Sequence, residues 1–355
     1  MAIGRSGFTI VDVLALSAVT VTAGAVMQPL LEETDEKSMA LTNRAQHQRL
    51  SASQGMFIAA NDGQFTSANV TGWLSTPGSN QDPSLFEGNQ TSSTPTQTTD
   101  WITPLLGDEL GLSPNRAIRT QQLLEQVRDP RNGIFNDTLF MSGADGDGDD
   151  FVNAFNNGGY RAVSYLAPAA FQYWGTPEPG GFVKGKGIIP GDEEIWQQMY
   201  GGVPYNFGGS IAFNIETPRE YRPRIENVGP SLSEKVMFAD GTRYVEFSGV
   251  VDIESTATPG VFGNFVSGFF ASEFETAYGR DRPGIFASAR RQGLGNSVDN
   301  RVLYISFYDG STRTSTVTNA KARPDWWAPT GSEWQSLDNV APEAASQYDV
   351  GDLLP

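Results

Sequence analysis

The chain has no cysteine, and only one of its 355 residues, His47, is a histidine. The first absence excludes disulfides, thiolate metal sites and cysteine nucleophiles together. The second leaves no pair of imidazoles for a two-histidine metal centre and makes His47 the obligatory base of any Ser-His-Asp arrangement. Charge is also scarce. Asp, Glu, Lys and Arg supply 18% of the chain, the formal net charge is -17, and no basic run is dense enough to follow a phosphate backbone, which argues against a nucleic-acid partner. What is plentiful is Gly (39) and Pro (21), beside 39% hydrophobic residues. That mixture fits a turn-rich globular fold of short strands rather than a bundle of long helices. The length allows one large or two modest domains, since single cores stop growing near ~250–300 residues.

The N-terminus is the most informative stretch. Met1 to Gly7 is short and polar with one basic residue, Arg5, and an apolar run follows from Phe8 to Val26, broken by Asp12 and a few Ser, Thr and Gly. At ~1.5 Å per residue the run is long enough for a hydrocarbon core of ~30 Å. Arg5 precedes it and Glu32, Glu33, Asp35 and Glu36 follow, which places the N-terminus in the cytoplasm and the remainder outside. Two readings of the run stand side by side. It fits a cleavable export signal ending at Ala23-Gly24-Ala25. It also fits a retained anchor, because an acidic residue costs up to ~2.5–3.5 kcal/mol at mid-membrane and a disposable signal has no use for one.

Gly7-Phe8-Thr9-Ile10-Val11-Asp12-Val13-Leu14 resembles the leader junction of type IV prepilins and pseudopilins. The resemblance implies cleavage by a prepilin peptidase after Gly7, methylation of Phe8 as the new N-terminus, and an assembly role for Asp12, which stands where the family usually has Glu. A buried carboxylate is tolerable if an ammonium meets it, and the Phe8 amine of a neighbouring subunit would supply one. Pro29 falls where pilin-like helices kink, and Asn43 to Leu50, then Met56, Ala60 and Asn61-Asp62-Gly63-Gln64-Phe65, are similar to the helix and "NDGxF" stretch of prepilin-type proteins. Val302 to Tyr308 with Asp309-Gly310 is similar to the end of a bacterial subgroup marked by a His, nine residues and Asp-Gly; here Asp299 holds the place of that His. The implied fold is α+β and pilin-like. It comprises a leader at 1–7, a transmembrane and stalk helix over 8–60 packed on an antiparallel sheet, and an extracytoplasmic domain over 61–355. The implied partners are inner-membrane lipid, the peptidase, and further copies or other pilin-like subunits in a filament or secretion apparatus.

Within that frame, Leu41, Ala45, Leu50, Met56 and Phe57 predict an amphipathic stalk. Residues 75–100, rich in Ser, Thr, Gln, Asn and Pro, read as an exposed loop, and Trp101 to Val127 as a helix-containing insert. Lys235–Ala239 and Arg243–Phe247 flank Asp240-Gly241, and Val302–Tyr308 precedes Asp309-Gly310 and Thr312–Val317. Both read as Asp-Gly hairpins.

Four constellations bear on chemistry. Asp145, Asp147, Asp149 and Asp150 place carboxylates at the spacing a Ca²⁺ loop uses, although Asp150 replaces the Gly and Asn156 the bidentate Glu of an EF-hand; a solvated acidic turn is the other reading. Gly180 to Gly187 has phosphate-loop spacing without the Ser or Thr that would hold Mg²⁺, and reads as a flexible surface loop. Asp192-Glu193-Glu194 near Trp196 reads as an acidic loop rather than a glycosidase pair, and Trp326-Trp327 fit core anchors better than a sugar platform. His47 is expected on the stalk as a surface or packing residue. No catalytic residue and no organic cofactor is expected. The rival from another class is a secreted glycan-binding protein or hydrolase whose first 25 residues are an export signal.

Overall fold

The computed structural model describes residues 35–67, 70–71, 90–96, 100–131, 149–161, 164–172, 215–218, 221–247, 250–252, 290–294, 303–316, 319–320, 322–334 and 346–355. Among the described residues helix α1 (Asp35–Ala60) comes first. It stops at Asn61-Asp62-Gly63, where Asp62 (φ 51°) and Gly63 (φ 80°) turn left-handed and the Gly63 N–H closes on the Ile58 carbonyl at 3.0 Å. The insert after Trp101 holds α2 (Thr103–Leu110) and α3 (Arg116–Gln126). Asn115 caps α3 by accepting from the Ile118 N–H at 3.1 Å. Two-turn α4 (Asp149–Asn156) packs on α3.

The sheet follows. Strands β1 (Tyr165–Leu166), β3 (Val236–Phe247), β6 (Leu303–Phe307) and β7 (Thr312–Ser315) lie antiparallel in the order β1-β3-β6-β7. Strands β4 (Val250–Asp252) and β5 (Arg290–Leu294) pair with the later part of β3. A separate pair joins β2 (Ile215–Glu216) to β8 (Glu333–Trp334). Short helices α5 (Ala169–Gln172) and α6 (Ile225–Val228) put Phe171 and Val228 into the core. Helix α1 lies across β6 and β7 and against α2, so the chain is α+β with the core between the helical layer and the sheet.

The second expected hairpin forms. β6 and β7 pair from Leu303↔Ser315 to Ser306↔Thr312, and Gly310 turns at φ 83°. The first does not. β3 runs unbroken through Asp240-Gly241, because β1 pairs with Asp240 through Tyr165 while the Gly241 N–H bonds to the Ser164 carbonyl at 3.0 Å. Flanking strands override the local turn preference. The stalk pattern is also corrected. Leu41 (58% exposed) and Met56 (47%) face outward, and the buried stripe is Asn43, His47, Leu50 and Gln54. Their 4-3-4 spacing is the helix-packing period, written mostly in polar residues.

Part of the expected polar loop is packed as well. Asp100 is buried and accepts from the Thr96 N–H at 2.7 Å and the Thr103 N–H at 2.9 Å. A Cβ at Gly107 would sit 2.1 Å from the Ser92 carbonyl oxygen, so residues 92–93 lie directly against α2. Hydrogen bonds order this stretch where apolar contacts are few. Residues 8–34 of the expected long helix lie outside the described residues. Among the described residues no helix is long and apolar enough to cross a membrane.

Candidate functional site

The stripe on α1 meets the sheet at a closed polar node. Asn43 and His47, one turn apart on α1, project onto Asp240 of β3 and Ser306 of β6. Tyr165 of β1 and the Asp129-Arg131 corner after α3 complete it. Asn43, His47, Asp129, Tyr165, Asp240 and Ser306 are all fully buried. A closed set of this kind is stable only if every polar atom is answered.

Asp240 is answered fourfold. Its Oδ1 accepts from Asn43 Nδ2 at 2.8 Å and His47 Nε2 at 2.7 Å, and its Oδ2 accepts from Arg131 at 2.7 Å and the Tyr304 N–H at 2.8 Å. Four donors fill the acceptor capacity of a carboxylate. Because an ionised carboxylate only accepts, His47 Nε2 carries a proton. His47 Nδ1 then lies 2.8 Å from Ser306 Oγ, which is itself 3.0 Å from Thr312 Oγ1 on β7. Aromatic rings wall the imidazole. Phe238 stacks on it with centroids 4.9 Å apart, and Tyr165 meets it edge-on at 5.3 Å. The Tyr165 hydroxyl donates to Asn43 Oδ1 at 2.7 Å, and Arg131 covers the Tyr304 ring at 5.0 Å.

The electrostatics follow from this geometry. Burial pushes the Asp240 carboxyl up, but His47, Arg131 and the Tyr304 N–H outweigh it and hold the group below the usual 3.8. Asp129 goes the other way: burial, with Asp240 close by, raises it against the Arg131 bonds. Burial costs the Arg131 guanidinium, yet two carboxylates more than restore it and it is held more firmly protonated than usual. Burial first, then Asp129 and Asp240, drives Tyr165 ionisation well above 10.0.

Ser306, His47 and Asp240 form a Ser-His-Asp chain, with the serine on Nδ1 and the carboxylate on Nε2. A nucleophile must reach a substrate, and all three residues are 0% exposed with the Ser306 hydroxyl also engaged by Thr312. As built, the arrangement clamps a helix to a sheet.

A second buried cation pins the far end of the sheet. Lys235, just before β3, donates from Nζ to the carbonyls of Asp325 (2.8 Å), Ala328 (3.0 Å) and Pro355 (2.6 Å). Burial lowers its ionisation to about 8, with Asp325 and Glu234 opposing the shift. Residues 351–354 lie against 331–334 through the bonds Gly331 N–H to Leu354 O and Trp334 N–H to Asp352 O, both 2.8 Å. Trp327 is fully buried with its indole N–H on the Ala320 carbonyl at 2.8 Å, and Trp326 meets Phe307 edge-on at 5.5 Å. The tryptophan pair is therefore packed into the body of the fold.

The residues expected from sequence are divided. Gly7, Phe8, Asp12, Asp145 and Asp147 lie outside the described residues, as do Asp299, the Gly180–Gly187 stretch and Asp192-Glu193-Glu194. Asp149 and Asp150 open α4, where negative charge suits the N-terminal end of a helix, and Asp150 accepts from Asn115 Nδ2. Among the described residues no group of three or more His, Cys, Asp or Glu side chains is arranged to hold a metal ion. His47 is the packing residue of the two alternatives, not a surface one. Sequence reasoning missed Asn43, Asp129, Arg131, Tyr165, Asp240 and Ser306. The one signal for any of them is the 43-47-50-54 spacing on α1. Comparison of the chain with protein-family models, with curated proteins and with solved structures returns no match.

Proposed function

We propose that this chain is a pilin-like structural subunit, trimmed after Gly7 and held in the bacterial inner membrane by the apolar segment that begins at Phe8, with its α+β domain on the outer side. It acts by assembly rather than by catalysis, and its partners are further copies of itself or related subunits in a filament or envelope apparatus. The observation that carries this reading is the rigid seat of α1. Helix α1 is tied to the two central strands by a buried, charge-assisted node, which would give an anchor attached ahead of it a firm seat on β3 and β6. Contacts of this kind also fix register, since a helix rotated or slid by one turn takes Asn43 and His47 away from Asp240 and leaves its buried Oδ1 without a donor.

Assembly tests the proposal. Asp12→Ala removes the carboxylate that would meet a neighbour's freed amine, and the apolar segment is left more hydrophobic. The variant is expected to insert in the membrane at the normal level and to lose most of its crosslinkable oligomers or filaments. Equal oligomer yield from Asp12→Ala and the unaltered chain contradicts the assembly role.

A further inference from the structure

Asparagine is thermally labile, and its backbone neighbour decides where. The chain has two Asn-Gly pairs, Asn132-Gly133 and Asn157-Gly158, of which the second lies among the described residues. Asn157 and Gly158 are both exposed and form the turn that leaves α4. Other described asparagines are held. Asn43 donates to Asp240, Asn61 to the Phe57 carbonyl, Asn227 to the Arg222 carbonyl and Asn319 to Ser315, while Asn115 both accepts from Ile118 and donates to Asp150. Asn153 and Asn156 sit inside α4 and are followed by side chains. Asn157 has no described side-chain bond. The N–H groups on either side of Gly158 are engaged, Asn157 with the Asn153 carbonyl at 3.0 Å and Gly159 with the Ala154 carbonyl at 3.2 Å. No acceptor is described for the Gly158 N–H itself. Gly158 also has no Cβ to block approach and already stands at φ 124°.

We propose that Asn157 is a spontaneous modification site, at which the amide is converted to aspartate and isoaspartate through a cyclic imide with Gly158. Water or hydroxide takes the Gly158 amide proton, and the nitrogen attacks Asn157 Cγ. A Cγ–N bond forms, the Cγ–Nδ2 bond breaks, and ammonia leaves with a proton from solvent. Water then opens the ring at either carbonyl. The product puts a negative charge at the C-terminal end of α4, where the helix carbonyls already concentrate negative potential. The isoaspartate form also lengthens the backbone beside the Gly159 carbonyl, one of two carbonyls that Gln121 of α3 holds, at 2.8 Å, the other being that of Ala154 at 3.1 Å. Ageing of this residue therefore loosens the seam between α3 and α4.

The test is peptide mapping of the folded full-length chain by mass spectrometry after storage in mildly alkaline buffer, with fragmentation to separate aspartate from isoaspartate. The peptide carrying Asn157 is expected to convert about tenfold or more faster than those carrying Asn115 or Asn319, the ratio that one side-chain hydrogen bond added to the barrier produces. Asn157→Gln, which would need a larger ring, should abolish conversion at that position. The proposal is overturned if the Asn157 amide survives in the folded chain over a period in which the same peptide reacts in the urea-unfolded chain.

Discussion

Asp240→Asn is expected to destabilise the domain by about 3–5 kcal/mol, the cost of breaking a buried ion pair by neutralising one partner. The charge is lost where four donors converge, two of them His47 and Arg131, and Arg131 keeps only Asp129 as an anionic partner. Against a total stability of about 5–15 kcal/mol for a domain, a loss of that size is a large fraction. Equilibrium urea unfolding followed by circular dichroism measures it. The same substitution changes the acid limb. The folded Asp240 carboxyl ionises below its unfolded value of 3.8, so its stabilisation is complete above that pH and is lost as pH falls through the depressed folded range. Asp129, raised in the folded chain, contributes with the opposite sign and favours the folded state as acid is added. Stability of the unaltered chain should therefore drop more steeply below pH 3.8 than that of Asp240→Asn. Parallel acid limbs would mean that the carboxylate is not held by the node.

Phe238→Ala should cost a similar amount, about 3–5 kcal/mol, by a different route. The ring is fully buried and contacts Trp101 at 5.2 Å, Tyr165 at 6.2 Å and His47 at 4.9 Å. Its removal opens a cavity and also takes away the wall that holds the imidazole between Asp240 and Ser306. The two substitutions should not add. A double-mutant cycle between Asp240→Asn and Phe238→Ala is expected to return a coupling of about 0.5–3 kcal/mol, as for residues within one network. Strict additivity would separate the aromatic wall from the polar node.

The legible parts of the fold were those in which local sequence and tertiary pairing agree. Asp309-Gly310 turns because β6 and β7 are neighbours in the sheet and pair across it, and Gly310 supplies the positive φ. Asp240-Gly241 carries the same dipeptide between the same kinds of strand, yet Asp240 is wanted in the interior: β1 pairs there and the carboxylate has four partners. No local rule distinguishes the two cases, because the difference lies in residues more than sixty positions away. The face of α1 was obscured for a related reason. Apolar spacing points Leu41 and Met56 inward, but both face out, while Asn43 and His47 are paid for by partners on distant strands. The outer part of the expected helix, Asp35–Ala60, the insert after Trp101 and the burial of Trp327 are all legible locally. The node was not, since its members are spread from residue 43 to residue 306.

These features bear on function through the N-terminal segment. A helix seated so firmly on the sheet has a purpose if the apolar stretch before it stays attached and carries load. N-terminal sequencing of the protein recovered from all fractions of its native cells measures this most directly. The account predicts a mature chain that begins at Phe8 with a methylated amine. A soluble chain that begins at Val26 would contradict it.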